Sequence, residues 1–293
     1  MKQQYKSINF RAEALDLITQ INGIIEDYSS QDLKLSVRQL YYQLVARDVI
    51  PNTEASYKRI AGLINDGRLA GLIDWDIIED RNRDIEMRTR WKSGAQIVRA
   101  AADSFHMDMW QNQYHRAFVI VEKAALAGVL ETVCQQYDVP MLAARGYPSV
   151  SIVRELALGH FKPALLKGQE ITVLHLGDHD PSGLDMTRDL TDRLGLFLPG
   201  LEVQIKRIAL NMPQIELYRP PPNPAKVTDS RFASYTKEYG PESWELDALR
   251  PDYLRKLLEG EIKGIVDAGS WRVREAEVES IRAALTETAD NWE

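Results

Sequence analysis

The sequence predicts an α/β protein: a helical N-terminal part followed by a domain built on a parallel sheet. Three observations carry this. From Ala117 onward, short runs of apolar and β-branched residues alternate with helical patterns, the rhythm of strand–helix–strand units. Before about residue 110, apolar residues recur instead at the helical period, with short breaks between segments. Third, the apolar run from Ile171 to Leu176 stops abruptly in Gly177-Asp178-His-Asp180-Pro-Ser-Gly183. A buried strand that releases two carboxylates one residue apart at its C-terminal end is poised to hold a hard cation.

The elements follow in order. Ala14, Leu17, Ile18, Ile21, Ile24, Ile25 and Tyr28 define an amphipathic helix over 8–28. Ser36 is placed to cap a second helix, from Val37 to about Asp48, and Thr53 a third, from Glu54 to about Leu72. The alternation from Ile73 to Arg83 predicts an edge strand running into a polar loop. Helix, turn, helix and hairpin-like segment is the order of a winged helix. Ser93–Trp110 reads as a helix and linker, closing a first domain at residue 110. Within 111–293, strands are expected at 117–121, 139–143, 171–176 and 203–208, and helices at 124–137, 149–158 and 183–195. Arg219-Pro-Pro-Pro-Asn-Pro is expected to be a stiff extended loop.

Composition narrows the function classes. The chain has 293 residues, 44% hydrophobic and 27% charged, which is ordinary for a globular protein. No stretch approaches the ~20 apolar residues of a membrane helix, and the N-terminus lacks a secretory apolar core. A cytoplasmic location and no membrane partner are therefore expected. The single Cys134 excludes an internal disulfide and a thiolate zinc cage, and its helix-like setting predicts a buried structural thiol. The net charge is -7, yet residues 242–293 alone carry 7 Lys+Arg against 13 Asp+Glu. The acidic excess thus sits almost wholly in a C-terminal extension, which leaves the body free to present a basic groove.

The carboxylates define the first candidate site. The run Ala117–Val121 ends in Glu122-Lys123, as Ile171–Leu176 ends in the Asp178 and Asp180 segment. At the same ends of two parallel strands, Glu122, Asp178 and Asp180 would converge on one crevice, and three carboxylates around Mg²⁺ or Mn²⁺ suggest phosphoryl-transfer chemistry. A calcium-binding EF loop is the rival reading. It fails because a β-branched run precedes the segment, Pro181 falls inside it, and its last position is Asp189, not Glu. Asp180 also suits the cap of a helix beginning at Pro181, a role compatible with metal binding. His175 and His179 flank the acidic pair without zinc-site spacing. Gly146-Tyr-Pro-Ser149 reads as a tight turn with Ser149 as a helix cap.

The second helix carries the other candidate. Val37, Leu40, Tyr41, Leu44 and Val45 fall on one apolar stripe, so Tyr41 is expected in the core. Tyr42 points away from that stripe, with Arg38 four residues earlier beside it. An exposed phenol beside a guanidinium meets both needs of a phosphate-directed nucleophile, because the cation favours the phenolate and can hold the phosphate. A surface Tyr with an incidental Arg is the blander alternative. Lys58, Arg59 and Arg68 lie on the helix that would enter the major groove. Arg81, Arg83, Arg88, Arg90 and Lys92 are interleaved with acids and suit a solvated face as well as DNA.

Together these motifs resemble a known family. Val121-Glu-Lys123, Gly146-Tyr-Pro148 and Asp178-His-Asp180-Pro-Ser-Gly183 resemble the Toprim domain of the topoisomerase VI A subunit and its meiotic double-strand-break relatives. Arg38-Gln-Leu-Tyr-Tyr42 resembles the motif of their winged-helix domain. The order matches the family's over roughly residues 34–190, and Trp244–Leu249 resembles a later Glu-rich segment. The resemblance implies a winged-helix domain followed by a Toprim-type, Rossmann-like domain. It implies that Tyr42 attacks the DNA phosphodiester to form a 5′-phosphotyrosyl link, that Arg38 assists at that phosphate, and that Glu122, Asp178 and Asp180 hold Mg²⁺. It further implies a homodimer in which one subunit's Tyr meets the other's metal site. The chain is shorter than a typical A subunit and lacks the family's Tyr-Lys-Tyr-Gly segment. It has no recognisable ATPase motif, so strand passage would need a separate B-type partner. The expected function is Mg²⁺-dependent cleavage of double-stranded DNA by tyrosine transesterification. The alternatives are a Toprim nuclease acting on DNA or RNA through metal-activated water, and a non-catalytic DNA-binding component.

Overall fold

The computed structural model describes residues 1–30, 33–76, 78 and 89–292. Three helices come first: α1 (Ala12–Ser29), α2 (Val37–Ala46) and α3 (Glu54–Leu69). Their starts follow from local chemistry. Ser36 Oγ accepts from Gln39 N while the Gln39 side chain accepts from Ser36 N, so two otherwise orphaned donors are satisfied reciprocally. Thr53 Oγ1 accepts from Ser56 N in the same way for α3. Ile18 and Ile21 of α1, Leu40 and Leu44 of α2, and Ile60 and Ile64 of α3 share one core, which also takes in Ala248 from far along the chain. Of the expected edge strand, Ile78 makes an isolated parallel bridge to Leu35. Residues 77 and 79–88, with Arg81, Arg83 and Arg88, lie outside the described residues.

The helix α4 (Gly94–Ser104) is capped by Ser93. It packs along the last helix, α12 (Ala268–Asp290), where Arg99 pairs with Asp290 at 2.8 Å. The expected division at residue 110 is thus bridged by a contact between the two parts of the chain.

The rest is a four-stranded, all-parallel sheet. Its strands are β1 (His115–Val121), β2 (Met141–Ala143), β3 (Glu170–Leu176) and β4 (Val203–Ala209), in the order β2-β1-β3-β4. Helices cover both faces, which is why the central strands read as continuous apolar runs. Val119, Val121, Leu174 and Leu176 point to one side, against α5 (Ala127–Gln136) and α11 (Pro251–Lys263). Phe118, Ile120 and Val173 point to the other side. There they meet α6 (Val150–Glu155), which continues through a π-helical turn (Leu156–Phe161) into α7 (Lys162–Leu166), and α8 (Pro181–Phe197). Cys134 is buried on α5 as expected, and burial pushes its thiol up to about 12.

Between β4 and α11 come α9 (Met212–Tyr218) and α10 (Phe232–Tyr239), with a two-residue antiparallel pair, β5 (Asn223–Pro224) and β6 (Glu242–Ser243). β5 falls within the expected extended loop. The segment after β6 runs across the C-terminal edge of the sheet, where Trp244 bridges to His179. It then joins the N-terminal helices through Ala248. No helix among the described residues is long and apolar enough to cross a membrane.

Candidate active site

The parallel register places Val121 opposite Leu176, so Glu122 and Gly177 leave the sheet side by side. Glu122 N donates to Leu176 O at 2.9 Å, and Glu122 Oε2 accepts from Asp178 N at 2.9 Å. A side chain at Gly177 would press on this contact: its Cβ would stand 3.1 Å from Glu122 Oε2 and 3.2 Å from Arg207 Nη1. Asp178 Oδ1 accepts from Leu246 N at 2.8 Å, and its Oδ2 lies 2.7 Å from Lys123 Nζ. Asp180 caps α8 as expected, accepting from Gly183 N at 2.6 Å and from Ser182 Oγ at 2.9 Å. Arg207, from β4, clamps the turn from below by donating to the carbonyls of Gly177, Asp178 and Gly183.

Burial and charge tune these groups. Burial, reinforced by the Asp178 charge, pushes Glu122 up to about 7. Burial raises Asp178 too, against the opposing pull of Lys123. Lys123 is raised despite burial because Asp178, Asp247 and Glu245 surround it. His175 and His179 are driven down, by burial and then by the Arg207 charge, to about 3 and about 4. Both are neutral near pH 7. His175 Nδ1 pairs with Thr187 Oγ1 at 2.8 Å and His179 Nδ1 with the Tyr235 hydroxyl at 2.9 Å.

The N-terminal helices close the other side. Tyr41 lies in the core as expected, its hydroxyl donating to Asn52 Oδ1 and Thr53 O. Tyr42 departs from the expectation of an exposed side chain: it is only 4% exposed. It belongs to the buried core of the N-terminal helices, its ring centroid 5.3 Å from that of Tyr41, and Leu246–Ala248 pack against α2 as well. Glu245 accepts from Arg38 Nη2 at 2.6 Å, while Arg38 Nε lies 3.2 Å from Asp247 Oδ2. The expected easing of Tyr42 ionisation by Arg38 is outweighed. Burial, and then the Glu245 charge, raise the phenol far above its usual range.

Tyr42 and Arg38 nevertheless share one cavity, of about 620 Å³, with Lys123, Asp178, Asp180 and Glu245. Glu122 does not line this cavity; its carboxylate is turned to Asp178 N. The phenol and the Asp178 and Asp180 carboxylates of the same chain therefore meet, whereas the resemblance implies that they meet across two subunits. Lys58 and Arg59 lie on another face of α3, pairing with Glu54 at 2.7 Å and Glu13 at 3.0 Å. Arg68 turns inward, donating to Trp75 O and Ile78 O. None of the three lines the cavity. Gly146 adopts φ +98°, and the Tyr147 hydroxyl reaches Asp185 Oδ2 at 2.7 Å, so this turn abuts the start of α8. Sequence reasoning missed Glu245, Asp247 and Arg207. The faint Glu-rich likeness at Trp244–Leu249 was the signal for the first two. Nothing local marks Arg207, a charged residue in a strand.

The expected donors are all carboxylates, the kind a hard divalent cation takes, and the Asp178 charge opposes ionisation of Glu122. Among the described residues, no three His, Cys, Asp or Glu side chains stand together as a ready ligand group. No protein-family model matches the chain, and no curated protein is significantly similar to it.

Proposed function

We propose that this protein is a Mg²⁺-dependent DNA-cleaving transesterase of the topoisomerase VI A type, with a winged-helix and a Toprim-type domain. The observation that carries this reading is the shared cavity: the Tyr42 phenol, Arg38, Lys123 and the strand-end carboxylates Asp178 and Asp180 line it together. Tyr42 Oη would form the bond to phosphorus while the 3′ oxygen leaves, and Arg38 and Lys123 would bind the non-bridging oxygens. Glu122, Asp178 and Asp180 would hold the metal. The cavity wall supports a need for one, because its acids, Glu54, Asp178, Asp180 and Glu245, outnumber its cations, Arg38, Lys123 and Lys226. A bound Mg²⁺ would offset that excess and stabilise charge developing on the phosphate. A homodimer would address both strands of a duplex, and strand passage would require a separate ATPase subunit. The test is to stop a reaction with denaturant and look for labelled DNA covalently held on the protein.

Burial of Tyr42 and its suppressed ionisation favour a second reading, a Toprim nuclease that hydrolyses DNA or RNA while Tyr42 serves structure. Cleavage without any adduct, undiminished in Tyr42→Phe, would select it.

A further inference from the structure

Two groups suited to holding a phosphate converge on one carboxylate of the chain itself. Glu245 Oε2 receives Arg38 Nη2 at 2.6 Å and stands 3.3 Å from Lys123 Nζ. The same carboxylate shares the cavity with Tyr42, and its charge acts on the phenol. Guanidinium and ammonium donors on a single anionic oxygen, with a phenol in the same cavity, make the kind of environment a non-bridging phosphate oxygen takes.

We propose that the Glu245 carboxylate is a built-in stand-in for the substrate phosphate, filling an anion subsite formed by Arg38, Lys123 and Tyr42 that a phosphodiester occupies once the side chain swings aside. This rests on the transesterase reading of the same cavity. The surroundings define what moves. The backbone of the segment is pinned on both sides: Trp244 exchanges two hydrogen bonds with His179, at 2.8 and 2.9 Å, and Leu246 N donates to Asp178 Oδ1. The side chain alone is left to rotate, and at 24% exposed it borders the open cavity. Asp247 is fully buried and faces Arg38 Nε, so it holds the guanidinium from behind when Glu245 departs. One carboxylate fixes the arginine and the other vacates its front. The device also keeps Arg38 and Lys123 neutralised until a stronger anion competes, so small anions are excluded at rest.

The experiment titrates inorganic phosphate by calorimetry into the full-length protein in EDTA, where metal-dependent cleavage is off. Wild type is compared with Glu245→Gln and Glu245→Ala, each also combined with Arg38→Ala. Both single variants are expected to bind phosphate about tenfold or more tightly than wild type, because Arg38 keeps only Asp247 and Lys123 only Asp178 of the carboxylates paired with them. Adding Arg38→Ala should erase the gain. Glu245→Gln keeps size and hydrogen-bonding capacity, so it reports even if the Ala variant unfolds. Unchanged or weaker phosphate binding in Glu245→Gln overturns the proposal, whether or not wild type forms a DNA adduct. Loss of the adduct in that variant with unchanged phosphate affinity also overturns it, and assigns Glu245 to removing the Tyr42 proton. Tighter phosphate binding with no adduct in any variant leaves the subsite standing and removes the transesterase reading instead.

Discussion

Tyr42 shows how much a single hydroxyl depends on its neighbours. Its ring is buried, and its ionisation is disfavoured by burial first and the Glu245 carboxylate second. A phenol so placed reacts only when the phosphate or metal changes the charge around it. Tyr42→Phe is therefore expected to abolish the covalent DNA adduct and leave DNA affinity nearly unchanged, as read by denaturant trapping beside a binding isotherm. Glu122 gives a second test, in pH. Its folded value, about 7, lies above the ordinary 4.5, so the folded state holds the proton more tightly between those values. Stability should then fall as pH rises through that window and level off above it. Glu122→Gln removes the buried charge while keeping an oxygen for Asp178 N. It should raise stability at pH 8 by on the order of 2 kcal/mol and have little effect near pH 4. Denaturant unfolding at the two pH values checks this, and a penalty at pH 8 would show that the charge is not the source of the shift.

At the scale of elements, the junction between β3 and α8 decides where the carboxylates point. Asp180 caps α8 with Pro181 in the first turn, Arg207 holds the carbonyls of the turn, and Gly183 sits directly against the backbone of Asp178. A Cβ at Gly183 would overlap the Asp178 carbonyl, and backbone cannot yield as a flexible side chain can. Gly183→Ala is expected to cost roughly 1–3 kcal/mol as an overpacking change. It should also lower cleavage more than the equally small change Gly195→Ala on the same helix, where a Cβ meets nothing within 4 Å. Comparable losses in the two variants would show that the turn tolerates the shift. The second element is α2, whose capping box at Ser36 starts the helix so that Arg38 and Tyr42 line one cavity.

For the whole molecule, the choice lies between a site completed within one chain and one completed across two. Here Tyr42, Asp178 and Asp180 of one chain line a single cavity. The distinguishing preparation is a mixed dimer of a Tyr42→Phe subunit with an Asp178→Asn subunit. Sites completed within a chain leave no intact set in that dimer, so no cleavage is expected. Sites completed across subunits leave one intact set, and single-strand nicking of a duplex would show it on a gel. A strictly monomeric protein on DNA, by light scattering, would remove the two-strand mechanism altogether.

Much of this architecture was legible in residue order because its causes are local. Strand runs bounded by helical patterns, Ser36, Thr53, Ser149 and Asp180 as caps, and the all-parallel sheet each follow from periodicity or from hydrogen bonds within a few residues. Adjacency of Glu122 and Asp178 was legible for the same reason, since parallel register carries both strand ends to one edge. What covers a surface is a different kind of fact. Tyr42 was expected on an open face, yet it is buried in the core of the N-terminal helices and beside residues far along the chain, which no helical wheel contains. The placement of Glu245 and Asp247 on Arg38, of Lys123 on Asp178, and of Arg207 beneath the turn likewise depends on how the chain returns over the sheet edge. Sequence thus determined the elements and the direction each side chain leaves them. Tertiary structure alone decided which charges meet, because that depends on contacts between segments remote in the chain, and those contacts set the electrostatics of the site.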